Sequence, residues 1–405
     1  MRLKATVVRD WQQLSPAAKL LILNGLAFNT GFYMLMPFLA NHLGGTLGLA
    51  GWASGLIIGM RVFSQQGLFL VGGMLGDRIG YRPAIILGCL VRSMGFSLLG
   101  WANNLPLLLL AACLTGFAGA LFTPCAQAYL AAECKDNGQR QAAFSLHNLA
   151  STAGMLLGPL IGLALLSTSF MLTGLVAGVV FFLLTWAQWK ILPADSVVEK
   201  KAQPSIRAQW STLISNRPFL IFCSFATAYQ LLFHQLYLAV PAFIHGNHLD
   251  KSWLSVLFTI NALIGVLLQL PASALVNKRL GTPVGMGIGL AMMGASYLPF
   301  ILFPSFPIAA IISQIVLFSV GSILCYPLFS AFLPKYASQT ALGAYYGFYS
   351  SFGGCIALFS NLLVGALLGS HFLAPPMFVW LLLSAWGILA GFGLYHHTKA
   401  HATSA

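Results

Sequence analysis

The chain has 405 residues, 58% hydrophobic and only 7% charged, with Lys+Arg 20 against Asp+Glu 7 and a formal net charge of +13. Soluble domains carry roughly a quarter charged residues, so a water-soluble globular protein is excluded and a polytopic membrane protein is expected. Aromatic residues make up 13%, and many Trp and Tyr fall near the ends of apolar runs, as interface anchors do.

Met1 to Ser15 is polar and basic and precedes a full-length apolar run, so no cleavable signal peptide is expected. Twelve spans follow. The first six are placed at Pro16–His42, Leu47–Val71, Tyr81–Trp101, Leu105–Ala132, Gln139–Leu166 and Phe170–Leu192. The longest polar stretch, Ala194 to Arg217, is a linker, and six more spans lie at 218–245, 252–276, 284–304, 307–333, 341–369 and 374–395. Each is about 20 residues or more, enough to cross a hydrocarbon core. The expected architecture is all-α, a six-helix half at 1–192, a linker at 193–217 and a second six-helix half at 218–405.

Charge sets the orientation. Arg78, Arg82, Lys135, Arg140, Lys190, Lys200, Lys201, Arg207, Arg217, Lys278, Arg279, Lys335 and Lys399 share one side with both termini, and the opposite loops carry only Lys251. The positive-inside rule makes the first side cytoplasmic. This distribution accounts for the basic surplus by topology and removes the case for a nucleic-acid partner; the expected partners are the lipid bilayer, a small-molecule substrate and protons. The seven cysteines are scattered, no metal-ligand spacing occurs, and no catalytic triad or phosphate loop is present. The expectation is a protein that is not an enzyme and needs no cofactor or metal.

Gly72 to Pro83, between the second and third spans, concentrates glycines, an acid and two arginines in a short loop. Its pattern G-x-L-x-D-R-x-G-x-R, carried by Gly73, Leu75, Asp77, Arg78, Gly80 and Arg82, resembles the signature loop of the major facilitator superfamily. The resemblance implies two six-helix halves with substrate bound between them near the midplane, and a monomer. It also implies a conformational latch in which Asp77 accepts hydrogen bonds from the start of the eleventh helix, near Gly343 to Tyr346; an ordinary solvated turn is the plainer reading. The second half repeats the loop weakly at Arg279, Leu280 and Gly281, with Lys278 at the position of the acid.

In the fifth span, Gly154, Gly158, Pro159 and Gly162 form G-x-x-x-G-P-x-x-G. Glycines four apart permit close helix contact in a membrane. The pattern resembles the antiporter motif of drug–proton exporters, which implies export coupled to inward protons; a generic packing face is the alternative. Arg61, Phe63, Gln65, Gln66 and Gly67, with Arg92, Gly95 and Phe96 and with Gly116, Gly119 and Pro124, resemble the MdtH-type branch of those antiporters. Two departures stand out: Ala112 replaces the arginine many such exporters carry in the fourth helix, and Asn24 stands where related exporters have an acid.

Arg61 and Arg92 lie about 16–18 Å from the signature loop at helical rise. No Asp or Glu stands in the middle of any span. Intramembrane arginines face the bundle interior or a wet cavity. For Arg61, with Gln65 one turn away, substrate contact or gating stands beside a structural hydrogen-bond hub; for Arg92 the structural reading leads. An anionic or carboxylate-rich solute, such as a siderophore, is the alternative to drug-like cargo. Candidate proton carriers are His147 and His234, with His234 ahead because Tyr229, Gln230, Gln235 and Tyr237 surround it in a polar patch, while Glu133 reads as a solvated helix-end acid. Further candidates for lining the cavity are Asn24, Asn29, Tyr33, Gln127, Tyr229, Gln230, His234 and Tyr326, with Asn261, Gln269 and Asn361 in neighbouring helices. Uptake, or a non-transporting membrane receptor, remains as a further alternative.

Overall fold

A computed structural model describes residues 11–134, 137–193, 213–336, 342–369 and 376–402. The described residues are helical, with no strand among them. In chain order the helices are α1 (Pro16–Asn41), α2 (Gly51–Gln66), α3 (Phe69–Ile79), α4 (Tyr81–Trp101), α5 (Leu105–Ala132), α6 (Asn137–Leu166) and α7 (Phe170–Ile191). After the linker come α8 (Arg217–Ala226), α9 (Ala228–His234), α10 (Ala239–Gly246), α11 (Ser252–Leu275), α12 (Thr282–Ala295), α13 (Pro299–Leu302), α14 (Pro307–Phe332), α15 (Leu342–Gly369) and α16 (Pro376–Ala402). Short π turns at His42–Thr46 and Val276–Leu280 extend α1 and α11.

The helix starts follow from capping chemistry. Ser15, Asn104, Ser169 and Asn216 each accept a backbone N–H from the first turn of α1, α5, α7 and α8, at 3.1, 3.0, 3.0 and 3.2 Å. Pro16, Pro106 and Pro218 stand just inside three of these starts, where a missing N–H costs nothing.

Eleven helical segments among the described residues are long and apolar enough to span a membrane. The second pass is divided instead. The expected span ended at Val71, with Gly72 to Pro83 as a loop. In the structure α2 stops at Gln66, Gly67 and Leu68 form a turn, and α3 continues through Asp77 to Ile79. Gly72 and Gly76 let α3 lie directly on α5, against the Ala120 carbonyl and the Cys125 thiol. The reversal into α4 is confined to Gly80, whose φ of +95° favours glycine. Gly281, at φ +77°, makes the corresponding turn between α11 and α12.

The chain divides into two compact units, Met1–His42 with Met60–Lys201, and Leu43–Gly59 with Ala202–Ala405. In the first, α1 packs on α6, and α4 is held by α5 and α7. A methyl group on Gly95 would lie 2.8 Å from Thr115 of α5, and one on Gly100 would lie 2.8 Å from Gly174 of α7. In the second, α12 lies between α14 and α16 in the same way: Gly289 abuts Cys325 and Gly294 abuts Gly387, each at 2.8 Å or less from an added methyl. Close backbone approach at small residues is the means by which helices associate where lipid removes the hydrophobic drive. The second unit also seats the first half of α2 on α15, Gly51 and Gly55 meeting the carbonyls of Gly365 and Asn361.

Candidate substrate site

In the first unit α2 crosses α5 at Gly116, which meets the Arg61 carbonyl and leaves 2.7 Å to Ser64 for an added methyl. That crossing points the Arg61 side chain along α2. Its Nη2 donates to Gln65 Oε1 at 2.6 Å, and its Cζ sits 4.4 Å from the Phe32 ring centroid. One turn further along α5, Gly119 has no side chain. A methyl there would stand 3.1 Å from both Gln65 Cδ and Arg92 Nη2. Gly119 therefore brings the Arg61–Gln65 pair and Arg92 to one place.

Arg92 comes from α4. It is 9% exposed. Its Cζ lies 4.2 Å from the Phe28 centroid, 5.8 Å from Phe181 and 6.0 Å from Phe122. These rings form a box, Phe28 meeting Phe122 edge-on at 4.2 Å and Phe181 at 5.3 Å. Ser93 fixes α4 beside it by donating to the Gly178 carbonyl at 2.7 Å. An arginine at this depth costs about 2.5–3.5 kcal/mol on the lenient insertion scale. A desolvated cation–π contact returns about 2 kcal/mol. The rings offset much of the charge but take few of the five N–H donors, and Arg92 Nε is buried with no hydrogen-bond partner among the described residues.

The antiporter-pattern glycines all face α1. Gly154 meets the Leu26 carbonyl, Gly162 meets that of Met34, and a methyl on Gly158 would lie 2.6 Å from Tyr33 Cβ. Pro159 sits inside α6 on the same stretch. Asn29, which bonds the Gly25 carbonyl of its own helix at 2.9 Å, and Tyr33 thus border the motif. A methyl on Gly25 would lie 2.8 Å from His147 Cε1, so His147 is seated on a glycine of α1; its Nδ1 has no partner among the described residues. Asn24 is fully buried, and neither side-chain polar atom has a partner among the described residues.

In the second unit, Tyr229 shares a 3.0 Å hydrogen bond with Ser322 and stacks on Tyr326 at 5.0 Å and Phe233 at 5.6 Å. Tyr326 is half exposed. His234 is buried, edge-on to Phe233 at 5.7 Å, and Gln230 lies half-buried one turn before it. Asn261 accepts from Ser319 at 2.7 Å, joining α11 to α14, and Asn361 donates to Ala357 of its own helix at 2.7 Å. Gln127 is exposed. The Asp77 side chain, and with it the expected latch, lies outside the described residues. Gly73 faces Pro124 across α5 at a distance of 4.0 Å from an added methyl, and Arg78 is exposed.

The sequence profile of the Major Facilitator Superfamily matches residues 21–360. The chain belongs to that superfamily. It is 39% identical over 388 residues to an uncharacterised superfamily transporter of Mycobacterium tuberculosis strain H37Rv, covering 93% of this chain and 92% of the relative. It is 28% identical over 389 residues to the multidrug resistance protein MdtH of Yersinia enterocolitica, at 93% and 92% coverage. Its fold is similar to a crystal structure of the nucleoside transporter NupG, with a TM-score of 0.81 at 13% identity over 94% of this chain and 99% of that one. The POT family transporter PepTSo is similar at a TM-score of 0.76 and 13% identity, over 97% and 99%.

As a superfamily member the chain is a multi-pass membrane transporter of small molecules and not an enzyme. Three features of the fold were missed in the sequence. Arg82 of the signature donates from Nη2 to the Trp189 carbonyl at 2.8 Å. Ser15 donates to Glu133 Oε2 at 2.6 Å, so Glu133 is held by the start of α1. The seventh pass is broken twice, at Thr227 and over Gln235–Leu238, directly after His234. Pro241, which cannot donate to the Tyr237 carbonyl, was the available signal for the second break.

Proposed function

We propose that the protein is a proton-coupled exporter of small drug-like or amphipathic molecules, working as a monomer by alternating access in a bacterial inner membrane with both termini cytoplasmic. The observation that carries this reading is the seating of the G-x-x-x-G-P-x-x-G face of α6 on α1, beside Asn29 and Tyr33. Near-full-length similarity to MdtH multidrug resistance proteins supports it. The concentration of Lys and Arg on one side of the spans supports the orientation. Protons entering down a potential carry about 2.3 kcal/mol per charge per 100 mV, which drives accumulation of a solute outside.

No acid stands inside a span to carry the proton. In this reading His147 and His234 are the carriers, and the stretch from Asp77 to Arg82 is the conformational latch. His147 is favoured as the first to test, because it lies at the α1–α6 contact that the antiporter pattern builds. The experiment is transport into proteoliposomes with an acid lumen, using ethidium as a lipophilic cation and 2-naphthoate as an anion. Gradient-dependent movement of either probe, abolished by nigericin, is expected. Movement of both probes identical to that in protein-free liposomes would overturn the reading.

A further inference from the structure

We infer that the open side of the Tyr326 ring is a stacking face for a flat aromatic solute that carries hydrogen-bond donors. This rests on the transport reading above and gives it a substrate class. Ser319, Ser322 and Tyr326 stand at i, i+3 and i+7 on α14, so they share one face of that helix. Ser319 donates to Asn261 of α11 at 2.7 Å, and Ser322 shares a 3.0 Å hydrogen bond with Tyr229 of α9. That face therefore looks into the second unit, between α9 and α11, rather than out at lipid. Tyr326 is nonetheless 51% exposed, whereas Tyr229 beside it is 5% exposed. An accessible ring on an inward face borders open space within the unit.

The ring is backed by protein on its other side. Tyr326 stacks on Tyr229 at 5.0 Å and 28°, and Tyr229 stacks on Phe233 at 5.6 Å and 15°. Phe329 closes edge-on against Tyr229 at 6.0 Å. The exposure of Tyr326 thus belongs to the side turned away from Tyr229. Two acceptors border it. Tyr349 of α15 has a buried hydroxyl with no hydrogen-bond partner among the described residues, close enough to the Tyr229 and Tyr326 phenols to interact with both. Pro327, next in the chain, cannot donate to the Ile323 carbonyl one turn back. Ring faces, phenol oxygens and a carbonyl are all electron-rich, and none of the six spans placed between 218 and 395 contains a Lys or Arg. Such a surface suits a solute with an electron-poor ring and N–H groups at its edge.

The test is equilibrium binding to the purified full chain in nanodiscs of two monovalent organic cations, flat ethidium and propeller-shaped tetraphenylphosphonium. Tyr326→Leu keeps apolar bulk and removes the ring. It should weaken ethidium about threefold to tenfold and tetraphenylphosphonium by no more than about twofold, with a melting temperature close to wild type. Tyr326→Phe, which keeps the face, should leave ethidium binding within about twofold of wild type. No ethidium binding to wild type, unchanged ethidium binding in folded Tyr326→Leu, or equal loss of both cations there would overturn the face. Should Tyr326→Leu fail to fold, Tyr326→Trp decides. Its larger face should raise the affinity for ethidium relative to tetraphenylphosphonium, and an unchanged or lowered ratio would overturn the proposal. Ethidium binding that depends on the Tyr326 ring, without gradient-driven movement of ethidium, would keep the face and overturn the transport reading. Gradient-driven ethidium movement with binding indifferent to Tyr326 would do the reverse.

Discussion

Arg82 and Trp189, 107 residues apart, are tied by a 2.8 Å hydrogen bond from the Arg82 guanidinium to the Trp189 carbonyl. Arg82 opens α4, and Trp189 lies in the last turn of α7, where carbonyls lack helical partners and a cation is favoured by the helix dipole. A residue of the signature pattern therefore joins two helices of one unit, whatever part it plays in switching. Arg82→Ala should lower stability by about 1–2 kcal/mol, read as a lower melting temperature. Arg82→Lys should recover part of the loss. A melting temperature unchanged in Arg82→Ala would show that the bond contributes nothing in solution.

The contact of α6 with α1 makes a second prediction. Gly158→Leu forces atoms into Tyr33 and Thr30, since even a methyl would lie 2.6 Å from Tyr33 Cβ and 2.9 Å from the Thr30 carbonyl. Overpacking of this kind costs about 1–3 kcal/mol, and transport should fall with it. Gly265→Ala is the matched control: nothing among the described residues lies within 4 Å of its added methyl, and replacing a mid-helix glycine should stabilise by about 0.5–1 kcal/mol. Equal effects of the two substitutions on melting temperature would contradict the packing account.

Ser15 does two jobs, accepting the Ala18 N–H at 3.1 Å and donating to Glu133 at 2.6 Å. Removing it loses the cap and one partner of an acid. Ser15→Ala should cost about 1–2 kcal/mol, and the Ser15→Ala, Glu133→Gln double variant should cost less than the sum of the singles. Strict additivity in thermal unfolding would show that the pair is not coupled.

In the second unit, Asp250 stands just before α11. Its carboxylate is held below the usual range by the Ser252 hydroxyl and by the Ser252 backbone N–H, the latter at 2.8 Å. A carboxylate with a depressed folded pKa contributes stability that is present above its unfolded pKa and is lost as pH falls through the folded value. In carbon-13 titration, Ser252→Ala should move the Asp250 midpoint upward toward the ordinary carboxylate value. A midpoint that stays where wild type puts it would remove the Ser252 hydroxyl as a cause.

The third and fourth passes were legible to the residue, Tyr81–Trp101 and Leu105–Ala132, because Gly80 on one side and the Asn104–Pro106 cap on the other leave no latitude. The second pass was misread because its glycines look like loop formers. On α5 they are instead what allows α3 to pack as a helix. The first break in the seventh pass escaped for a different reason: Thr227 closes on the Cys223 carbonyl at 2.7 Å, a local bond that composition does not announce. At the site, Arg61 and Gln65 were legible as a pair one turn apart. The phenylalanine box around Arg92 was not, since Phe28, Phe122 and Phe181 come from three helices and only the fold assembles them.

Exchange of a solute for protons is read most directly from lumenal pH in pyranine-loaded proteoliposomes. With equal pH on both sides, external 2-naphthoate or ethidium entering by exchange should drive protons out. The lumen should turn alkaline at a rate that saturates with probe concentration and is lost in Gly158→Leu. Protein-dependent entry of a probe with no change in lumenal pH, or with an acid shift, would contradict proton-coupled export.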